Sequence, residues 1–167
     1  MKAQTQRRIT LIRHAKAEDD GVTQDHARAL NARGLNDAAE LGAWLKSHDA
    51  VPQVVLCSTA KRTRQTLEQL GLEQTPVLLT DRAYLATAEE LLALLREMDD
   101  AVTHVGVIAH NPGLHQLAAS LAGTYAKRED EDRLLLKFPT STCAQFTTDA
   151  AAWQALMPQG ARLEQLR

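Results

Sequence analysis

Residues 9–15 read Ile-Thr-Leu-Ile-Arg-His-Ala, an apolar run with β-branched side chains that stops at an arginine and a histidine. A short run of this kind predicts a buried strand. Five later runs have the same character and are also predicted to be strands: Val54–Cys57, Pro76–Leu79, Val105–Ala109, Leu134–Phe138 and Cys143–Thr147.

Helical patterns lie between several of these runs. Apolar side chains recur at helical spacing over residues 35–45, 91–98 and 114–121. Thr87, with Glu90 three residues later, is typical of a capping box at the start of the second helix. The charged run 127–133 is interpreted as a solvated loop. Strands that alternate with helices predict an α/β protein, with three α/β/α layers around a mostly parallel central sheet.

The composition is that of a folded protein without an obvious polyanionic or membrane partner. The chain has 167 residues, of which 44% are hydrophobic and 24% charged, and we expect a single domain over residues 1–167. The net charge of −2 gives no basic footprint for nucleic acid. No run approaches the roughly 20 apolar residues of a membrane span, and the first apolar run is too short for a signal peptide, so a cytoplasmic location is expected. The two cysteines, Cys57 and Cys143, are predicted to be reduced core thiols.

The predicted strands end in residues that bind phosphate well. The first ends in Arg13 and His14, the second in Ser58 with Arg62 four residues later, and the run 105–109 in His110. Because the carboxyl ends of parallel strands meet at one edge of a sheet, these side chains are expected to share one crevice.

That combination suits phosphoryl transfer. A neutral imidazole attacks phosphorus and forms a phosphoramidate that water can cleave. Arginine binds two phosphate oxygens with its planar fork and keeps its charge. Nearby cations favour the neutral, nucleophilic form of His14. The second histidine, His110, is expected to be protonated and to donate to the same oxygens.

The order of the motifs resembles that of the histidine phosphatase superfamily, also called phosphoglycerate mutase-like. Leu11–Ala15 is similar to the signature around its nucleophile, and residues 25–34, 58–66 and 109–114 are similar to its later blocks. Pro139-Thr140 and Trp153 resemble the end of the SixA-type branch, so the resemblance covers about residue 8 to residue 157.

The resemblance implies a phosphoglycerate mutase-like fold and a set of roles. His14 is expected to be the phosphorylated nucleophile, and Arg13, Arg62 and His110 to hold the phosphate. Members of the SixA-type branch are phosphohistidine phosphatases that act on phosphorelay proteins. Helices and a strand already fill the chain between Arg62 and His110, so no large cap insertion is expected, and an open site suits a protein substrate.

The chain also departs from the family pattern. Ala15 replaces a glycine, and Ala29 and Asn31 replace a proline and a threonine, which should affect only local turns. Asn111 and Tyr84 occupy positions where other members carry an acid. Four carboxylic acids are candidates for this role, which the sequence leaves unassigned: Glu18, Asp19, Asp25 and Glu89. A site without a strong acid should favour P–N bonds, because imidazole is a much better leaving group than an alcohol.

The remaining polar residues carry weaker predictions. Lys16 is a candidate phosphate contact or else a solvated lysine, and Asp25 and Arg28 are predicted to pair and brace the loop beside His14. The other four histidines lack metal-ligand spacing and are interpreted as ordinary loop or helix residues: His26, His48, His104 and His115. No metal and no organic cofactor is expected.

Three functions are compatible with these residues. The first is a protein-phosphohistidine phosphatase whose substrate is a phosphorylated histidine-containing protein. The second is a small-metabolite phosphomonoesterase of the same superfamily. The third is a non-catalytic module that binds phosphoproteins, which the presence of His14 disfavours.

Overall fold

A computed structural model describes residues 6–167, and over this range the chain forms seven strands and five α-helices. The strands are β1 (Arg7–Arg13), β2 (Val54–Ser58), β3 (Val77–Thr80), β4 (His104–Ala109), β5 (Ala122–Tyr125), β6 (Cys143–Thr148) and β7 (Ala161–Leu166). The α-helices are α1 (Ala32–Ser47), α2 (Lys61–Gln69), α3 (Ala88–Arg96), α4 (Gly113–Leu121) and α5 (Arg128–Leu136). Three single-turn 3-10 helices cover Asp25–Ala27, Asp81–Ala83 and Trp153–Ala155.

The strands form one sheet in the order β3-β2-β4-β1-β6-β7-β5. Neighbouring strands run parallel except where β6 lies antiparallel to β1 and to β7. In the pairing of β1 with β4, Arg13 lies opposite Ala109. His14 and His110, the residues that follow these two strands, therefore lie side by side at the same edge of the sheet.

Helices cover both faces of this sheet. Successive residues of a strand point to opposite faces, and Leu11 and Ile12 of β1 accordingly lie in two different apolar clusters. The cluster around Leu11 includes residues of α3, α4 and α5, whereas the cluster around Ile12 includes residues of α1. The predicted α/β class, with its mostly parallel sheet in three layers, is confirmed.

Two sequence predictions near the end of the chain are wrong. Leu134–Phe138 is not a strand and the run 127–133 is not a loop, because α5 spans Arg128–Leu136. Three leucines in a row have neither helical nor strand period, and the structure buries Leu134 while leaving Leu135 and Leu136 exposed. The sequence analysis also did not predict β5 and β7. Cys57 and Cys143 are buried free thiols, as predicted. No helix within residues 6–167 is long and apolar enough to cross a membrane.

Candidate active site

The ends of β1, β2 and β4 bring two histidines and an arginine into direct contact. Arg62 Nε lies 3.3 Å from His14 Nε2, and Arg62 Nη2 lies 3.1 Å from His110 Nδ1. The centroids of the two imidazole rings are 5.2 Å apart. All three side chains are buried, with relative exposures of 6% for His14, 2% for Arg62 and 1% for His110.

The hydrogen bonds of His14 fix its tautomer. Its Nδ1 lies 2.8 Å from the carbonyl oxygen of Ala15, which can only accept, so Nδ1 carries the proton. Nε2 therefore has a free electron pair, which faces the Nε–H of Arg62. Burial lowers the pKa of His14 to about 4, and the charges of Arg62 and Arg13 act in the same direction. The ring is therefore neutral near pH 7, with an unprotonated Nε2.

His110 is held in the opposite tautomer. Its Nδ1 accepts from Arg62 Nη2, so Nε2 carries the proton and donates to the hydroxyl oxygen of Ser58 at 2.8 Å. Burial, and next the charge of Arg62, lowers the pKa of His110 to about 3. The structure thus contradicts the expectation of a protonated second histidine: a ring that accepts from an arginine in a buried site is neutral.

Arg62 is oriented by Asp25 from the first 3-10 turn. The Asp25 backbone oxygen accepts from Nη1 at 2.6 Å, and Asp25 Oδ2 accepts from Nη2 at 3.0 Å. The same Oδ2 accepts from the Tyr84 hydroxyl at 2.6 Å. The hydrogen bond from Tyr84, and next the one from Arg62, lowers the pKa of Asp25, and the bond to Asp25 raises the pKa of Tyr84. Asp25 is therefore a carboxylate at neutral pH.

Arg13 lies on the other side of the site. Its Nη1 donates to the Phe138 carbonyl oxygen at 3.0 Å, and Asn111 Nδ2 donates to the same oxygen at 2.8 Å. Burial, and next the charge of Arg62, lowers the pKa of Arg13. Its Nε is buried without a hydrogen-bond partner in residues 6–167, as is the hydroxyl of Ser141. The guanidinium therefore has donor capacity left for a ligand.

The loop after β1 is fixed by neighbouring elements. The Ala15 amide donates to the Thr66 hydroxyl at 2.9 Å, and that hydroxyl donates to the Arg62 carbonyl at 2.7 Å, so the loop that carries His14 is linked to α2. Asn31 caps α1 through its Oδ1 on the Gly34 amide at 2.8 Å. A Cβ at Gly34 would lie 2.1 Å from the Lys16 carbonyl oxygen, so only glycine fits this approach of α1.

Other predicted site residues lie outside this cluster. The Lys16 side chain is exposed and makes no hydrogen bond or ion pair with the described residues, and the candidate acids Glu18, Asp19 and Glu89 are also exposed. Arg28 does approach Asp25, with 3.6 Å between Nε and Oδ1. Within residues 6–167, no three histidine, cysteine or acidic side chains are grouped in a way that could hold a metal ion.

A rim of aromatic side chains that no sequence motif indicates lies beside the site. The Tyr84 ring packs edge-on against His110 with 5.5 Å between centroids, and the His26 ring packs edge-on against Tyr84 at 4.8 Å. His26 Nε2 lies 3.0 Å from the Thr59 hydroxyl, which donates to Asp81. His26 was interpreted as an ordinary loop residue, because nothing in its local sequence indicates contact with two other loops.

A three-layer α/β fold with two histidines and an arginine at the carboxyl edge of the sheet defines a phosphatase of the histidine type. The family model for the histidine phosphatase superfamily (branch 1) matches residues 9–84. The chain belongs to the histidine phosphatase superfamily, and its fold is phosphoglycerate mutase-like.

Relatives extend the match over nearly the whole chain. An uncharacterised protein of Mycobacterium leprae is 34% identical over 157 residues, which are 91% of this chain and 96% of the relative. Phosphohistidine phosphatase SixA of Escherichia coli is 27% identical over 157 residues, 91% of this chain and 87% of that protein. A solved structure assigned to phosphohistidine phosphatase SixA of Nakamurella multipartitia has a TM-score of 0.86, is 31% identical, and matches over 97% of this chain and 95% of that one. The predicted SixA-type resemblance is confirmed.

Proposed function

We propose that this phosphatase hydrolyses the P–N bond of phosphohistidine on another protein, through a phosphohistidine intermediate on its own His14. The observation that carries the proposal is the fixed tautomer of His14, whose unprotonated Nε2 lies 3.3 Å from Nε of Arg62, with both side chains buried. The unprotonated nitrogen of His14 and the guanidinium of Arg62 could therefore contact the same phosphate group.

The residues around His14 divide the work of phosphoryl transfer. Arg62 and Arg13 compensate the charge of the equatorial oxygens, and His110 holds the Arg62 guanidinium in place by accepting from it at Nδ1. In the first step His14 Nε2 forms a bond to phosphorus while the bond to the substrate imidazole breaks, and the leaving ring, protonated beforehand on its other nitrogen, departs neutral. In the second step water attacks phosphorus while the bond to His14 Nε2 breaks, the proton of the water passes to solvent, and inorganic phosphate is released. His14 Nδ1 keeps its proton on the Ala15 carbonyl throughout.

The preference for a P–N bond follows from the protonation state of the carboxyl group in the site. Asp25 is the carboxyl group that contacts Arg62, and its lowered pKa keeps it ionised. An alkoxide leaving group requires a proton donor in the site, whereas a phosphohistidine ring already protonated on its other nitrogen, with a pKa of about 6.5, leaves as neutral imidazole without one. A preference for an imidazole leaving group also favours a protein substrate, because histidine is the protein side chain that contains this ring.

The test compares wild type with His14→Ala on three substrates: a phosphohistidine-containing protein, free phosphohistidine and a sugar phosphate. We expect wild type to release phosphate fastest from the protein, and His14→Ala to lose at least about 10³-fold in rate. Acid-sensitive, base-stable phosphate on residue 14 should appear in rapidly quenched wild type. Unchanged hydrolysis by His14→Ala would refute the nucleophile, and faster hydrolysis of the sugar phosphate would refute the substrate class. His48→Ala, at an exposed position after α1, is the matched histidine control and should keep wild-type rates.

A further inference from the structure

Leu85 has an unusual backbone and an unusual exposure at the edge of the active site. Its φ is 51°, in the left-handed region that favours glycine. Its side chain is 54% exposed, so burial of the leucine does not offset the cost of this conformation. Strained residues that survive in a fold often serve a function.

The chain around Leu85 is held firmly on both sides. Ala83 and Ala86 are buried, at 0% and 5% exposure. Thr87 begins α3 with a complete capping box, and a Cβ at Gly113 would lie 1.8 Å from the Ala86 carbonyl oxygen. The fold therefore fixes the backbone at position 85 and directs a leucine into solvent, where glycine would meet the backbone demand better.

This leucine directly follows, in the chain, a tyrosine of the aromatic rim. Tyr84, the residue before it, contacts His110 with its ring and Asp25 with its hydroxyl, and His26 packs against Tyr84. We call His26, Tyr84 and Leu85 the docking rim. It joins the phosphate site without interruption, because Asp25 contacts both Tyr84 and Arg62.

Several charged groups near the docking rim are already paired, whereas Arg28 Nε, 3.6 Å from Asp25 Oδ1, has no hydrogen-bond partner within residues 6–167. Asp25 accepts from Arg62 and Tyr84, Asp81 accepts from Thr59, and Arg82 makes two hydrogen bonds of 2.7 Å to Glu97. The rim thus presents two rings and an aliphatic side chain. Rings and aliphatic groups suit an imidazole and the apolar surface of a protein, whereas sugar hydroxyls would need free polar partners.

We propose that the docking rim binds the protein that carries the substrate phosphohistidine, with His26 and Tyr84 against the imidazole leaving group and Leu85 against the protein surface around it. The inference rests on the proposed P–N phosphatase function. It assigns specificity for the leaving group and its carrier to three residues that do not hold the phosphate.

Three P–N substrates of increasing size test the docking rim. Phosphoramidate has no ring, phosphoimidazole adds the ring, and a phosphohistidine-containing protein adds the surface. For Leu85→Gly we expect the ratio of kcat/KM for the protein to that for phosphoramidate to fall at least tenfold, mainly through KM. For His26→Ala we expect a second ratio, kcat/KM for phosphoimidazole to kcat/KM for phosphoramidate, to fall at least fivefold in addition.

Folding and function are separated by two further measurements. Leu85→Gly should not lower the thermal midpoint, because glycine accepts a φ of 51° without strain. Leu135→Ala removes a similarly exposed leucine, 60% exposed, from α5, and should leave both ratios at wild-type values. Ratios within twofold of wild type in both rim variants would overturn the inference. Failure of the proposed function has a different signature, since wild type would then hydrolyse none of the three P–N substrates.

Discussion

Arg62 is the residue that contacts most other members of the site. Its guanidinium meets His14, His110, and both the backbone and the side chain of Asp25. A planar fork with five N–H donors can make this many contacts in fixed directions, which a single ammonium group cannot. Arginine at position 62 is therefore needed for its shape as much as for its charge.

Substituting Arg62 by lysine tests this distinction, because the charge is kept and the fork is lost. We expect Arg62→Lys to lower kcat/KM by about 10²-fold or more, since phosphate then loses its bidentate partner and His14 loses its neighbour. The measurement is phosphate release from a phosphohistidine substrate, with a thermal melt to verify folding. Arg64→Lys, an exposed arginine on the same helix, is the control and should retain activity. Equal activity of Arg62→Lys and wild type would show that charge alone suffices.

The two site histidines should be neutral in opposite tautomers. Their pKa values lie at about 4 for His14 and about 3 for His110, below the usual 6.5, so at pH 5.5 both rings are still neutral and carry one proton each. Ring ¹⁵N chemical shifts at that pH should show the proton on Nδ1 of His14 and on Nε2 of His110, with the signals assigned by His14→Ala and His110→Ala. Two protonated nitrogens in either ring at pH 5.5 would contradict the buried, cation-flanked environment described above.

The first turn of α1 positions the loop that carries His14. Gly34 lets the helix approach the Lys16 carbonyl, where a Cβ would stand at 2.1 Å. We expect Gly34→Ala to lower the free energy of unfolding by about 1–3 kcal/mol through overpacking, and to lower kcat as the His14 loop shifts. Denaturant unfolding and phosphate release measure the two effects. Asn36→Ala introduces the same side chain at an exposed position of α1 and should leave the free energy of unfolding unchanged or slightly raised. If Gly34→Ala also left the free energy of unfolding unchanged, the loop would accommodate the added methyl group without cost.

The sequence predicts the elements that have a strong period and misses those held by distant contacts. β1 and β4 are apolar β-branched runs, and because both end at one edge of a parallel sheet, the meeting of His14 with His110 follows from the pattern alone. The capping box of Thr87 and Glu90 is likewise a local signal, and it is confirmed. The docking rim joins two loops that are far apart in sequence, so no local pattern could indicate it. α5 was missed for a different reason: its three leucines are consecutive, and the other side chain that it buries, Asp130, is charged, so no apolar helical period is visible.

A buried histidine lies at each end of the central strand β4. His110 follows its carboxyl end at the active site, and His104 begins it at the other edge, 5% exposed. His104 Nε2 lies 2.8 Å from the Thr10 hydroxyl of β1. Burial, and next the charge of Arg8, lowers the pKa of His104 to about 4. The fold thus buries a neutral imidazole at each end of β4, and one of them, His104, lies at the end away from the candidate active site.

Neutral buried histidines make the folded state sensitive to acid. The folded pKa of His104 is depressed to about 4, whereas the unfolded chain binds the proton at about 6.5, so stability is present in full above pH 6.5 and is lost as the pH falls from there to about 4. The shift corresponds to about 3 kcal/mol for His104 alone. Urea unfolding of wild type and His104→Gln at several values between pH 7 and pH 4.5 measures the difference. Glutamine can still pair with Thr10 but does not titrate, so its stability should fall less steeply; parallel curves for the two proteins would show that His104 is not held neutral by the fold.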